Sequence, residues 1–328
     1  MTRSLTARIE RYPVRGSFVI ARGAKTHVDV VVAEISDGAT TGRGEGTPIY
    51  YRGETAGSVL AAIEAQRDAV AGGATRADLL TLLPAGAARN ALDAALWDLE
   101  AKVSGVAVWR TLDLPQPQPL LTALTISLGE PGAMEIAARA ARGRELLKLK
   151  LGGEGDLDRV AAVRRGAPDA RLIVDANEAW GNLDIERLAH ALAAHRVELI
   201  EQPVPAGDDH LLDRVASPIP LCADESVHDR ADLGRLIGRY TFVNIKLDKA
   251  GGLTEALALA HAAKLRGFGL MTGCMLSTSL GVAPAFMVAL QSQFADLDGP
   301  LLIEDRADGM RFEGSDVWPP EAMLWGGG

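Results

Sequence analysis

The chain has 328 residues, 48% hydrophobic and 23% charged, an ordinary globular balance that leaves room for one large domain or two. Its formal charge of −9, with no basic block, argues against nucleic acid or an anionic membrane as principal partner, because those contacts need clustered positive charge. The N-terminal MTRSLTARIERYPVRG lacks an apolar signal core, and no run of about 18 apolar residues offers a membrane span. The expectation is a soluble cytoplasmic protein, with Cys222 and Cys274 as small buried thiols.

In chain order, residues 7–23 and 27–36 read as successive antiparallel strands with Gly and Asp punctuation between them. Residues 55–72, 76–83 and 88–105 carry apolar positions at helical spacing. Strands followed by helices suggest an α+β unit over residues 1–118. The alternate prolines of LDLPQPQPLL then read as a linker.

Beyond it, short apolar strands alternate with Ala/Leu-rich helices. The strand segments are LLKLKL, RLIVDAN, VELIEQP, IPLCADE, FVNIKLD and GLMTGCM; the helical ones include DLDRVAAVRRG, DIERLAHALAAHR, DDHLLDRVA, DRADLGRLIGR and LTEALALAHAAKLRG. Such a train predicts a parallel sheet with helices outside over residues 119–302, a closed barrel rather than an open doubly wound sheet. MLSTSLGVAPAFMVAL reads as a buried helix with its leading loop.

The polar residues fall where these strands end. Asp175 closes RLIVD, Glu201 closes VELIE, Asp224 follows IPLCA, and Lys246 and Asp248 close FVNIKLD. In ELLKLKLGGEG, Lys148 and Lys150 alternate with leucines, so a strand aims both ammonium groups the same way. A single charged strand end is a solvated loop start, but a barrel gathers all of them at its C-terminal mouth. Three carboxylates there repel one another unless a cation lies between them. An all-oxygen set suits Mg²⁺, with Mn²⁺ possible, and disfavours Zn²⁺; the six histidines form no metal-ligand spacing.

A metal on a substrate carboxylate would stabilise an enediolate, and a lysine whose pKa is lowered by a cationic neighbour could take the α-proton. Lys150 and Lys246, on the second and sixth strands, would face each other across the mouth. One removes the proton and the other returns it to the opposite face, inverting the carbon.

The motifs LKLKLG, VDANEAW, IEQP, ADES and NIKLDKAGGLTEA resemble the enolase superfamily, specifically its muconate-lactonizing subgroup, over essentially the whole chain. The use of a Lys or His base with Mg²⁺ is already a general property of that superfamily. The resemblance implies a (β/α)7β modified TIM barrel and an α+β capping domain, the latter completed by about residues 303–328. It also implies Asp175, Glu201 and Asp224 as metal ligands, Lys150 and Lys246 as acid/base pair, and Lys148 and Asp248 in support.

Within the subgroup, Asp296 and Asp298 of FADLDGP match the pair that binds the α-ammonium of a dipeptide, although the spacing alone equally fits a polar turn before Gly299-Pro300. Arg22 of FVIARGAKT matches the arginine that meets a glutamate side-chain carboxylate. GCMLSTS, with Met275 and Ser277, matches the loop lining the substrate pocket. The second capping loop departs from the subgroup's TPYxRYGE, reading TPIYYRGE with Arg and Tyr in effect exchanged.

The expectation is thus a Mg²⁺-dependent epimerase of L-Ala-D/L-Glu, serving murein peptide recycling and possible as a homo-oligomer. Three other readings stand beside it. They are an N-acylamino-acid racemase or o-succinylbenzoate synthase of the same superfamily, a Schiff-base aldolase barrel, and a non-catalytic binding barrel.

Overall fold

The computed structural model describes residues 3–21 and 23–327. The N-terminal part is an antiparallel sheet of β1 (Ser4–Ile20), β2 (Gly23–Asp37) and β3 (Thr40–Gly46) with helices α1 (Ala56–Glu64), α2 (Arg67–Ala71), α3 (Arg76–Leu82) and α4 (Ala87–Ser104). β1 and β2 follow the expected strands and pair from Ser4↔Ser36 onward, with a bulge between Pro13 and Phe18. The single helix expected over 55–72 is two, α1 and α2.

β3 is absent from the expected elements because its sequence, TTGRGEG, has little strand character. Its glycines answer to a packing requirement instead. A Cβ on Gly42, Gly44 or Gly46 would lie 2.2, 2.1 or 2.2 Å from the carbonyl oxygens of Ala95, Ala91 and Ala87. Alanines at every fourth position of α4 and glycines at every second position of β3 thus let the two backbones touch. By the same alternation Arg43, Glu45 and Thr47 face the other way, toward the rest of the molecule.

The second part is an eight-stranded parallel sheet in simple sequential order: β5 (Leu124–Ile126), β6 (Leu146–Lys150), β7 (Arg171–Asp175), β8 (Val197–Glu201), β9 (Leu221–Ala223), β10 (Phe242–Ile245), β11 (Gly269–Gly273) and β12 (Phe294–Asp296). The first and last strands meet where Ala123 N donates to Ala295 O at 2.9 Å, so the sheet comes round into a barrel and the open-sheet alternative falls. Before it, β4 (Leu120–Leu121) pairs with β14 (Asp316–Val317), itself the partner of β13 (Phe312–Glu313).

Seven crossovers join these strands, as a (β/α)7β barrel requires. Helices Pro131–Ala140, Asp156–Gly166, Ile185–Ala193, Leu253–Leu265 and Ser279–Ala289 fill five of them. The other two correct the expectation. DDHLLDRVA forms only a 3₁₀ turn at Asp209–Leu212, and DRADLGRLIGR only one turn at Leu233–Leu236. Prolines 203, 205, 218 and 220 crowd the first connection and glycines 234 and 238 weaken the second.

The C-terminal segment returns to the N-terminal part. Glu304 N donates to Pro13 O at 2.8 Å, Trp325 Nε1 to Ala94 O at 3.0 Å, and Arg306 Nη1 to Glu10 Oε2 at 2.9 Å.

Inside the barrel, period two builds two layers. Leu146, Ile173, Leu199, Cys222, Met271 and Phe294 pack as an apolar floor. Two residues further along the same strands the inward positions are Lys148, Asp175, Glu201, Asp224, Gly273 and Asp296, with Asn244 two residues beyond Phe242. The register Ile173↔Leu199 and Asp175↔Glu201 fixes both layers together.

Candidate active site

The polar layer is almost entirely buried. Asp175, Glu201 and Asp224 present carboxylate oxygens within 4.8 Å of one another. Lys148, with no exposed surface, donates from Nζ to Asp296 Oδ2 at 2.7 Å and lies 2.6 Å from Glu201 Oε2 and 3.3 Å from Asp175 Oδ2. Lys150 Nζ donates to Asp175 Oδ2 at 2.6 Å, and Lys246 Nζ to Asp224 Oδ2 at 2.7 Å.

The two lysines proposed as bases come from β6 and the end of β10 and line one cavity of about 60 Å³. Phe18, Ile20 and Tyr51 of the N-terminal part close over it, and Met275 and the half-buried Cys274 line it from the barrel side. In the departing loop Tyr51 thus faces the cavity while Arg52 is exposed.

The charges do not balance evenly. Burial raises all three acids, but Lys150 and Lys148 outweigh it at Asp175, holding its carboxyl down at about 2. Lys246 and Lys249 do the same for Asp224, well below the usual range. Glu201 is pushed up to about 7 by burial and by Asp175 and Asp224. Its Oε2 is ion-paired with Lys148 at 2.6 Å but accepts no aligned hydrogen bond. Buried oxygens of Asn177, Asn244 and Asp296 have no hydrogen-bond donor. An acid triad with one member unfavourable as an ion, bordered by buried oxygens that lack donors, is a fit seat for a divalent cation.

Backbone strain marks the same place. Asn177, Glu178 and Gln202, one to three residues after two of the acids, hold φ of 43°, 70° and 37°, a region non-glycine residues seldom occupy. The glycine pair after Lys150 has its own reason. Gly152 and Gly153 donate their N–H groups to Asp156 at 3.0 and 2.8 Å, and Trp180 Nε1 donates to the same carboxylate at 2.7 Å.

Most of the expected site residues converge here; two do not. Asp248 follows β10 in the helical turn Leu247–Ala250 and points to Thr47 and Asn90, so it supports the contact with the N-terminal part instead of a base. Ser277 donates to Met275 O at 3.0 Å and accepts from Thr47 Oγ1 at 3.3 Å; it too faces the cap. Asp298 Oδ2 accepts from Thr125 N at 2.6 Å, and burial together with Asp296 raises its carboxyl to about 7. Arg22 lies outside the described residues.

The reading from sequence misses the neutral and supporting groups. Asn244 Nδ2 donates to Glu201 Oε1 at 2.7 Å, and Gly273 leaves it room, since a Cβ there would lie 2.8 Å from Asn244 Oδ1. Gln202 Oε1 accepts from Asp224 N and Ser226 N at 2.8 and 3.1 Å.

The chain and its fold have relatives. Residues 133–317 match the enolase C-terminal domain-like family, and residues 3–112 match the mandelate racemase / muconate lactonizing enzyme N-terminal domain. The chain belongs to the enolase superfamily.

It is 46% identical over 293 residues to the L-Ala-D/L-Glu epimerase of Escherichia coli K12, covering 89% of this chain and 91% of that one. It is 47% identical over 251 residues to the N-acetyl-D-glutamate racemase of a Pseudoalteromonas species, covering 76% and 79%. Among solved structures, an enolase family member from Agrobacterium tumefaciens, described as having homology to dipeptide epimerases and with sodium and L-Ala-L-Glu bound, superposes with a TM-score of 0.96. The two are 52% identical, over 99% and 100% of the chains. A dipeptide epimerase from Enterococcus faecalis complexed with Mg and L-Leu-L-Tyr gives a TM-score of 0.91 at 30% identity, over 99% of each.

Proposed function

We propose that this protein is a dipeptide epimerase acting on L-Ala-D/L-Glu, inverting the α-carbon of the C-terminal residue by two-base proton transfer. The observation that carries the reading is the placement of Lys150 and Lys246. They arrive from opposite sides of the barrel, line the same small cavity, and flank the acid triad.

Asp175, Glu201 and Asp224 hold the divalent ion, Mg²⁺ in this reading. Bound there, it supplies Lewis-acid charge stabilisation to the substrate carboxylate as the α-proton leaves. Lys150 or Lys246 removes that proton as a free amine, and the other returns one as an ammonium to the opposite face. Contrary to the expectation of a lowered lysine pKa, burial opposes the charge of Lys246 but Asp224 and Glu201 outweigh it and hold its pKa well above the ordinary value, so a cation on those two acids is what would let it give up its proton. Lys148 stays charged throughout: burial opposes its charge, but Asp296, Glu201 and Asp175 outweigh it and hold its pKa well above the ordinary value. Asp296, with one buried oxygen still lacking a donor, and Asp298 receive the substrate ammonium, leaving the α-carbon between the lysines.

A role in murein peptide recycling and a cytoplasmic location belong to the same proposal. The second reading, racemisation of an N-acylated glutamate, is favoured by the Pseudoalteromonas relative; it leaves the Asp296–Asp298 pair without a cation to bind. Incubation with L-Ala-L-Glu and Mg²⁺ in D2O is expected to deuterate and invert the glutamate α-carbon. Retention of that hydrogen, with exchange of N-acetylglutamate instead, would replace the first reading with the second.

A further inference from the structure

Lys249 lies three residues beyond Lys246 on the turn Leu247–Ala250 and is 1% exposed. Its Nζ donates to the Asp224 carboxylate at Oδ1, to the Asp224 backbone carbonyl, and to Asn244 O at 3.1 Å. An ammonium has three donors, and all three are used, two of them on one residue. None is left for substrate, so this lysine carries no proton in the reaction.

Asp224 is consequently held on every side but one. Gln202 Oε1 takes its N–H, Lys249 takes its C=O and Oδ1, and Oδ2 alone is directed to the cavity side, 2.7 Å from Lys246 Nζ. Burying a lysine this completely is costly unless its partners are fixed. Among the described residues, the only carboxylate it meets is that of Asp224.

We propose that Lys249 is a positioning residue that fixes Asp224 as a one-oxygen member of the acid triad and prevents both its oxygens from closing on Lys246. The proposal rests on the reading of Asp175, Glu201 and Asp224 as metal ligands. Two effects of opposite sign make it testable. Loss of a nearby positive charge by itself tightens cation binding, whereas loss of positioning weakens it.

The test is Mg²⁺ titration calorimetry on the full chain with Lys249→Met, an unbranched side chain of similar length without charge, alongside Asp224→Asn and the double variant. Lys249→Met is expected to raise the Mg²⁺ dissociation constant at least tenfold and to lower kcat for L-Ala-L-Glu at least a hundredfold with a smaller change in KM. In the Asp224→Asn background the same substitution should change Mg²⁺ affinity less than twofold, because its route is already gone. Unchanged or tighter Mg²⁺ binding in Lys249→Met overturns the proposal, as does the full effect reappearing in the double variant. If Lys249→Met does not fold, Lys249→Gln takes its place; if neither folds while Asp224→Asn does, Lys249 holds the barrel and the proposal is wrong. Wild-type Mg²⁺ affinity in Asp224→Asn alone would instead refute the metal-site reading.

Discussion

Asp248 Oδ1 accepts from Thr47 N at 2.9 Å and from Asn90 Nδ2 at 2.8 Å, so the acid two residues beyond Lys246 clasps the cap to the barrel. Burial raises its carboxyl to about 7, and Asp248→Asn, which keeps an accepting oxygen, should cost little. Asp248→Ala leaves two buried donors unpaired, at about 1–3 kcal/mol each. The expected result is a lower melting temperature and a KM raised more than kcat is lowered, read by calorimetry and initial rates; equal effects from Asn and Ala would remove the clasp.

The two-base arrangement predicts asymmetric isotope exchange. Lys150→Ala and Lys246→Ala should each lower epimerisation by about 10²–10⁴-fold. Each should still exchange the α-hydrogen of one diastereomer only, the one whose proton faces the surviving lysine. Mass spectrometry in D2O with L-Ala-L-Glu and L-Ala-D-Glu separately decides this, and a single-lysine variant that exchanges both would defeat the assignment.

The misplacement of Asp248 in the sequence reading has a plain cause. Two residues apart means the same face only while the chain is a strand, and β10 ends at Ile245, after which the turn Leu247–Ala250 follows helical spacing. The acid triad and the lysines were legible because a charge at the inward end of a short apolar strand breaks the pattern of a buried strand. Asn244 and Gln202 break no such pattern, and Lys249 is one more lysine in a lysine-bearing motif. β3 was illegible for another reason: Gly42, Gly44 and Gly46 are dictated by the approach of α4, a tertiary contact that strand propensity does not register.

That contact gives a prediction about stability. In Gly44→Ala the new Cβ would lie 2.1 Å from Ala91 O and 2.6 Å from Ala95 N, backbone atoms that no rotamer change can move. Overpacking of this kind costs about 1–3 kcal/mol and sometimes more. Urea unfolding should show a loss at the upper end of that range, while Gly53→Ala, with no atom within 4 Å of its Cβ but a φ of 82°, should lose about 1 kcal/mol.

The proposed ammonium-binding role of Asp296 and Asp298 predicts a difference between substrate classes. If the pair receives the ammonium of a dipeptide, Asp298→Asn should lower kcat/KM for L-Ala-L-Glu by about tenfold or more, a charge-assisted contact being worth about 1.5–3 kcal/mol. Exchange of N-acetylglutamate, which has no ammonium, should change less than threefold. Equal losses on both substrates would mean that Asp298 serves the barrel, through Thr125 N, and not the ligand.

Stability should also fall as pH rises, through Glu45. Its carboxylate accepts from Thr278 N at 2.9 Å and from the Thr278 hydroxyl. Burial, with Asp248 adding to it, nevertheless raises its pKa from an ordinary 4.5 to about 8. A carboxyl raised on folding stabilises the fold fully below the unfolded pKa, and that contribution is lost as pH rises toward the folded one. The window runs from about pH 4.5 to about 8, and the full difference corresponds to roughly 5 kcal/mol at 1.36 kcal/mol per pH unit. Glu45→Gln keeps the shape and an accepting oxygen without the ionisation. With Mg²⁺ saturating, so that the acid triad does not titrate, wild type and variant should melt together near pH 4 and diverge progressively above about pH 5, the variant being the more stable at pH 8. Parallel melting curves across that range would show that Glu45 does not ionise at the cap–barrel contact.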